Sequence, residues 1–497
     1  MAAHLLKKTR SHKPTLFDTF GYGSRPQRPS SFSTMLVSAA FFFHFGLLPI
    51  LWNVATSVPS IVWTGTSTGL LCLAALAARH SSITSRKVSI CTITFLFAYP
   101  IFGWISYKAW GQYSGERETM LLQTLPIMLL GLALYLTGAA ARSHRIYRTI
   151  WMTWLLMACY VLLNAKNFSV ENLYQTATET GNKLTYQQLG DSFAICSTIL
   201  AARIRQAPQR WLFIAAAIGL MFIIPSRSAA FFGTASLLTV IVLFGGFFTR
   251  VVVIGLVVAI GLGYETGLFA QLFEGTRFQI AFTPGSEDGS WSTRQEIMNH
   301  GMNVLTSRPF TGEWAFQLGE MKFAGLYIHN ILDIWAQTGL ISFLLFLAIW
   351  GALLVALMTG FERWPRIAKE TAPLLVFVVL SWCLARNVTF VALFFCVGFA
   401  SAALEQARFG QVVRRHRADQ LNTQFNTQFS PDSQFVHSQF APNQFANSQF
   451  ANSQFANSQF APQTQLSPDT RFVRRHQYQD HPKYQDHTKF FPPGSSS

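Results

Sequence analysis

Long apolar runs separated by short polar segments dominate the chain up to Leu404. Each run is roughly 15 to 25 residues long, about the length at which a helix crosses the hydrocarbon core of a bilayer. We predict an all-α polytopic membrane protein with about twelve transmembrane helices and one large periplasmic loop, residues 270–330, which contains short helices. The predicted spans are 35–52, 60–78, 88–107, 119–141, 149–165, 189–202, 211–225, 229–248, 251–269, 331–358, 372–385 and 388–404.

Basic residues in the short loops predict the orientation of these spans. With the N-terminus in the cytoplasm, strict alternation places every basic triplet on the cytoplasmic side, as the positive-inside rule requires. Both termini are therefore predicted to be cytoplasmic. The loop 270–330, the turn around Arg227 and the residue Arg386 are predicted to meet at the opposite face. The cytoplasmic triplets are Arg79, Arg86 and Lys87; Arg142, Arg145 and Arg148; Arg203, Arg205 and Arg210; and Arg363, Arg366 and Lys369.

Composition agrees with a membrane protein, since 50% of the residues are hydrophobic and only 12% are charged. The formal net charge of +16 would suggest nucleic acid in a soluble chain, but membrane orientation explains it here, and we expect no nucleic-acid partner. All cysteines lie inside apolar runs, which favours packing over disulfides or a metal cluster. They are Cys72, Cys91, Cys159, Cys196, Cys383 and Cys396.

Three regions follow from these patterns. Residues 1–34 form a basic cytoplasmic segment, and the first apolar run is predicted to be an uncleaved span. Residues 35–404 form the membrane domain. Residues 405–497 begin with a basic block, which suits anionic headgroups, and continue with a Phe-containing pentapeptide repeat that is clearest at 446–460. This tail is too polar to bury a core and is predicted to be disordered; the alternative is a tail whose phenylalanines bind a partner.

Two arginines are candidate ligands for a phosphate group. Thr293 and Glu296 have capping-box spacing, which makes Arg294 the predicted first residue of a surface helix, where backbone N–H groups favour an anion. Arg227 lies beside another predicted helix start, near Ala229, and a guanidinium binds phosphate oxygens in pairs. The alternatives are that Arg294 pairs with a neighbouring acid and that Arg227 snorkels to lipid headgroups. The surface helix has an apolar stripe of Ile297, Gly301, Val304 and Leu305 and is predicted to end at Arg308-Pro309.

His329 is the candidate general base. It directly precedes a predicted span with Asn330 as a plausible cap, and a helix N-terminus disfavours imidazolium, which keeps the ring neutral. Asp333 lies four residues on and would share a helical face with His329 if the helix had begun there, so it is a candidate for orienting the ring. The alternative is an interfacial histidine and an aspartate that merely complements the helix dipole.

Several chemistries lack support in the sequence. There is no glycine-rich phosphate loop, zinc-protease motif or nucleophile elbow, so we expect no metal ion and no cofactor. No lysine, arginine, aspartate or glutamate lies in the middle of a predicted span, which disfavours an ion-coupled transporter.

Three motifs, in their order and spacing, resemble the O-antigen ligase and O-antigen polymerase family. They are Ser226-Arg227-Ser228 before an apolar run; the Arg294 helix followed by Arg308-Pro309-Phe310-Thr311-Gly312; and the loop end His329-Asn330-Ile331-Leu332 continuing to Gly339-Leu340. The resemblance covers roughly residues 189–404. It implies an integral inner-membrane glycosyltransferase that faces the periplasm and needs no metal ion.

The resemblance also implies residue roles. His329 resembles the family's loop histidine that activates the acceptor, and Arg227 and Arg294 resemble its diphosphate-binding arginines. Asp333 and Arg386 have no family role; they are candidates from the residues themselves, for orienting His329 and for a further phosphate contact. Where family members often carry a glycine-rich segment, this chain has Gly312-Glu313-Trp314-Ala315-Phe316.

The implied reaction moves glycan from an undecaprenyl-diphosphate-linked donor to an acceptor hydroxyl with inversion of the anomeric centre. The favoured interpretation is an exopolysaccharide or O-antigen polymerase, whose acceptor is another lipid-linked unit and whose expected partners are membrane lipids, a flippase and a chain-length regulator. An O-antigen ligase with lipid A core as acceptor is the nearest alternative. A lipid-linked oligosaccharide exporter is the alternative from another class.

Overall fold

The structure, a computed structural model, describes residues 29–54, 59–79, 81–82, 84–110, 115–165, 185–268, 271, 279, 289–320, 328 and 330–428. His329, the N-terminal segment up to residue 28, most of the loop segment 269–288 and the repeat tail from residue 429 lie outside the described residues. The described part of the chain up to Ala418 forms one compact unit.

The described residues are helical and contain no strand, which confirms the all-α prediction. A π-helical segment, Phe42–Leu47, joins the first two helices. The helices are α1 (Ser31–Phe41), α2 (Leu48–Val54), α3 (Ser60–Ala78), α4 (Arg86–Ala109), α5 (Gly115–His144), α6 (Tyr147–Asn164), α7 (Thr185–Arg203), α8 (Ala207–Ile223), α9 (Arg227–Phe244), α10 (Phe247–Glu265), α11 (Gly289–Ser307), α12 (Gln317–Glu320), α13 (Leu332–Arg363), α14 (Pro365–Leu384) and α15 (Ala392–Gln428).

Nine helical stretches among the described residues are long and apolar enough to cross a membrane, as expected of a multi-pass membrane protein. The other three predicted spans coincide with α6, α7 and α8, which are shorter or more polar, so the count of twelve stays a prediction. The six cysteines are unpaired, as predicted. The nine stretches are Ser31–Trp52, Ile61–Ala78, Arg86–Ala109, Gly115–His144, Arg227–Phe244, Phe247–Glu265, Leu332–Arg363, Pro365–Leu384 and Ala392–Phe409.

The last helix passes the predicted boundary at residue 404 without a break. Its apolar part ends near Phe409, and the helix then continues as polar sequence to Gln428. The continuation contains Ala, Arg, Gln and Leu, which are good helix formers, so a helix that has begun in the membrane domain extends readily through it.

Helix α5 connects two groups of ion pairs at opposite ends of the bundle. Near its start, Arg117 lies 3.4 Å from Glu313, which belongs to the segment after α11. Near its end, Arg142 lies 3.7 Å from Glu370 of α14. The two arginines are separated along the helix axis by about 37 Å at 1.5 Å per residue. We call the end of the bundle with the Arg117–Glu313 pair the loop end, and the end with the Arg142–Glu370 pair the arginine end.

Aromatic side chains fix α13 within the bundle. Phe346 of α13 packs against Phe95 of α4 with ring centroids 5.2 Å apart and against Trp382 of α14 at 5.1 Å. Trp382 in turn packs 5.1 Å from Phe394 of α15. These side chains are fully or almost fully buried. Because they hold α13 by its middle, the first turns of α13 have a defined position at the loop end.

Candidate functional site

Helix α13 is broken at Gly339, which has φ 80° and ψ 175°. Only glycine adopts this conformation readily. The break exposes backbone groups that pair with the segment after α11: the N–H of Leu340 donates to the Pro309 carbonyl over 3.0 Å, and the N–H of Glu313 donates to the Ala336 carbonyl over 2.7 Å. The indole of Trp335 also donates to the Pro309 carbonyl, over 2.7 Å. The first two turns of α13 thus form a separate platform.

Residues 308–318, which we call the Glu313 segment, fill the space between this platform and helices α4 and α5. The Glu313 carboxylate pairs with Arg117 of α5 and with Arg308. The backbone N–H of Trp314 donates to the Ser106 hydroxyl of α4 over 2.8 Å, and its indole donates to the Arg117 carbonyl over 3.2 Å. The Trp314 side chain is buried. The segment is therefore part of the packed bundle at the loop end.

Helix α11 begins at Gly289, so the prediction that Thr293 caps it is wrong, and Arg294 lies inside the helix instead of at its first residue. A helix extends cheaply once its first turn exists, and Ser290 to Ser292 do not stop it. The prediction of its apolar stripe and of its end is confirmed. Ile297, Val304 and Leu305 are buried, and the helix stops at Ser307, directly before Arg308-Pro309.

The residues on both sides of His329 contact α11. Gly301 of α11 lies so close to the Ile328 side chain that an added Cβ would overlap it. On the other side, the Asn330 amide lies 3.9 Å from the Met298 sulfur, a weak acceptor. Met298 is one helical turn beyond Arg294. The helix that carries Arg294 is thus packed against the chain immediately around His329.

Asp333 fixes the backbone next to His329. Helix α13 starts at Leu332, so His329 precedes the helix, and the predicted shared helical face of His329 and Asp333 is wrong. Instead the fully buried Asp333 carboxylate accepts hydrogen bonds from the Ile328 N–H over 3.1 Å and from the Gln337 amide over 2.7 Å. The Gln337 bond follows the i,i+4 spacing of α13, whereas the Ile328 bond reaches back to a residue that precedes the helix.

The Asn330 side-chain oxygen accepts from the Leu332 N–H over 2.9 Å and so caps the first residue of α13, although Ile331 occupies the N-cap position and makes no side-chain capping bond. The cap satisfies one of the N–H groups that have no partner inside the helix.

Arg227 is the first residue of α9, two residues before the predicted start. The preceding Ser226 occupies the N-cap position but makes no side-chain capping bond, unlike the predicted cap. This helix start packs on α7, because a Cβ added at Gly190 would lie 2.8 Å from the Cβ atoms of both Ser226 and Ala229. The turn that carries Arg227 is therefore in close contact with the residue that precedes Asp191.

Arg386 forms a buried two-bonded ion pair with Asp191 of α7. Its Nε and Nη2 donate to the two carboxylate oxygens over 3.1 and 3.2 Å, and the guanidinium lies 4.5 Å from the centre of the Phe390 ring. Both side chains are only 2–3% exposed. Asp191 is not among the residues predicted from the sequence, because it lies only two residues after the predicted start of its span at Leu189, where an acid is expected to be exposed; α7 begins four residues earlier, at Thr185, and buries it.

The candidate residues thus fall into two groups. One is α11 with the start of α13, around Ile328, Asn330 and Asp333. The other is the start of α9 with Arg386 and Asp191, joined through α7. Both lie toward the loop end, because α7 runs on from Asp191 to Arg203 at the arginine end.

Chemically, the described residues offer Arg227 at a helix start, Arg294 on the helix that contacts Ile328 and Asn330, and the buried acid Asp333, which holds the Ile328 N–H. No model of a known protein family and no curated protein matches this chain.

Proposed function

We propose that the chain is a glycosyltransferase of the cytoplasmic membrane of a bacterium. It transfers glycan from an undecaprenyl-diphosphate-linked donor to an acceptor hydroxyl at the periplasmic face, as a polymerase of exopolysaccharide or O-antigen repeat units. The termini are cytoplasmic and the loop end is periplasmic in this proposal, which agrees with the collection of Arg142, Arg203 and Arg366 at the opposite end of the bundle.

In the proposed reaction, neutral His329 takes the proton of the acceptor hydroxyl as its oxygen attacks the anomeric carbon. The bond from that carbon to the diphosphate oxygen breaks, and the lipid diphosphate leaves with the electron pair. Arg227 and Arg294 stabilise the charge that grows on the diphosphate. Arg386, predicted as a further phosphate contact, is left out of this scheme because it is buried in an ion pair with Asp191. Attack from the side opposite the leaving group inverts the anomeric centre.

One observation carries this proposal: the chain on both sides of His329 packs on the helix that carries Arg294, through the Ile328–Gly301 and Asn330–Met298 contacts. A general base and a leaving-group ligand must be held close together for such a transfer, because correct placement supplies much of the rate. Asp333 acts as a positioning residue in this scheme, since its bond to the Ile328 N–H fixes the turn before the base.

The test uses a deletion strain complemented with the wild-type chain, with His329→Ala, with Arg227→Ala, or with Arg205→Ala as the control. Arg205 is exposed beyond the end of α7, far from the loop end. We measure the length distribution of surface and lipid-linked glycan. Accumulation of single repeat units, with rescue by wild type and Arg205→Ala only, supports a polymerase that uses His329.

Other outcomes separate the alternatives. Long polymer that stays on the lipid carrier indicates a ligase with the same base. An exporter needs the diphosphate ligands but no base, so a normal glycan profile in His329→Ala together with loss in Arg227→Ala would favour export. A normal profile in both variants contradicts the proposed site.

A further inference from the structure

Three arginines from three helices surround a single carboxylate at the arginine end of the bundle. Glu370 of α14 lies 3.7 Å from Arg142 of α5, 3.3 Å from Arg203 of α7 and 3.3 Å from Arg366 of α14. Three guanidinium groups and one carboxylate leave a formal excess of two positive charges. We call these four residues the Glu370 cluster.

The cluster is rigid on its inner side. Arg142 and Glu370 are buried, and Arg142 also donates to the Tyr147 hydroxyl. The Tyr147 ring lies under the Arg203 guanidinium, 4.3 Å from its centre, which holds a second arginine in a fixed direction. Because Tyr147 contacts both arginines, their separation is set by the fold and not by side-chain flexibility.

The hydrogen-bond donors of the Glu370 cluster outnumber its acceptors. The Nε of the buried Arg142 has no hydrogen-bond partner. A buried guanidinium donor without an acceptor is costly, and one carboxylate cannot neutralise three arginines in a site that water enters poorly. On the outer side, Arg203 and Arg366 remain 42% and 62% exposed, so their donors can still be reached by a ligand. The cluster therefore has the excess charge and the open donors of an anion site.

The position of the Glu370 cluster indicates which kind of anion it binds. The cluster lies where α5 ends and α14 begins, and both helices are long and apolar enough to span a membrane. Lipid headgroups occupy this level of a bilayer, and guanidinium groups bind phosphate oxygens in pairs. We propose that the Glu370 cluster binds the phosphate of an anionic phospholipid headgroup, a site separate from the candidate transfer site at the loop end.

The experiment uses the full chain in dodecyl maltoside, titrated with dioctanoyl phosphatidylglycerol or dioctanoyl phosphatidylcholine while bound lipid is followed by native mass spectrometry. The wild type should bind phosphatidylglycerol at least about tenfold more tightly, because both lipids offer a phosphate but the quaternary ammonium of phosphatidylcholine is repelled by the excess positive charge of the cluster. The variant Arg203→Gln/Arg366→Gln should lose this preference. It keeps the buried Arg142–Glu370 pair, so the fold should survive; Arg366→Gln alone provides the test if it does not.

The matched control is Arg205→Gln/Arg363→Gln, which removes the same charge from exposed positions near the ends of α7 and α13. If the control variant still prefers phosphatidylglycerol, the preference depends on the Glu370 cluster and not on surface charge in general. Equal loss in both variants, or no preference in the wild type, overturns the proposal. A third arm adds inorganic pyrophosphate: displacement of the lipid at millimolar concentration assigns the phosphate site to soluble anions, and failure to displace assigns it to the headgroup.

Discussion

The break in α13 makes Gly339→Ala a demanding substitution. Two costs are added. Alanine at φ 80° and ψ 175° costs about 2 kcal/mol in backbone strain. Its Cβ would also overlap the Phe310 carbonyl, so the Glu313 segment must move away. Movement breaks the three hydrogen bonds from Leu340, Trp335 and Glu313, each with a net contribution of about 1 kcal/mol. We expect a total loss of about 5 kcal/mol.

The assay is unfolding in mixed micelles with increasing dodecyl sulfate, followed by tryptophan fluorescence. Trp335 and Trp314 both contact the docked region, so local release should appear as an early transition before global unfolding. Gly351→Ala is the matched control, because Gly351 lies within the same helix and an added Cβ meets nothing within 4 Å. In a regular helix this change is expected to stabilise by up to about 1 kcal/mol.

Equal stability of Gly339→Ala and Gly351→Ala would refute the reasoning, since it would mean that neither the glycine conformation nor the docking of residues 308–318 contributes. An intermediate result, with global stability kept and the early transition present, would assign the whole cost to the docked segment.

Three further predictions concern buried charges. Asp191→Ala or Arg386→Ala alone should cost about 3–5 kcal/mol by leaving a buried charge unpaired, and the double variant should cost less than the sum of the two; additive losses would contradict a coupled pair. Glu313→Gln should lower stability by about 3 kcal/mol in the same titration, because it leaves two arginines without their carboxylate, and an unchanged midpoint would count against that role. Asp333→Asn keeps an acceptor for the Ile328 N–H whereas Asp333→Leu does not, so glycan transfer should fall further in the leucine variant; equal activity of the two would exclude the positioning role.

The sequence predicts those features that depend on local periodicity. Every predicted span is helical, and the stripe of Ile297, Val304 and Leu305 is buried as predicted. Helix starts are less well predicted, because a good capping residue such as Thr293 does not stop a helix whose first turn has already formed four residues earlier.

Long-range pairing is what the sequence does not reveal. Asp191 and Arg386 are far apart along the chain, and nothing in their immediate neighbourhoods identifies them as partners. Likewise, the sequence includes Gly339 in a motif but does not reveal that the Phe310 carbonyl lies against it. Such features depend on which segments the fold brings together, and no single stretch of sequence contains that information.

Helix α5 carries one member of each ion-pair group, Arg117 at the loop end and Arg142 at the arginine end. The two arginines belong to one helix, in which Pro126 removes a single backbone hydrogen bond, so a displacement of one end is coupled to the other end. A shift of α5 that alters the Glu370 cluster therefore also alters the Arg117–Glu313 ion pair, about 37 Å away. If an anion at the Glu370 cluster favours one axial position of α5, it changes the affinity of the loop end for its ligand. Thermodynamic linkage then requires a ligand at the loop end to change the affinity of the Glu370 cluster for the anion by the same factor. Lipid composition on one side of the membrane would then act as an effector of events on the other.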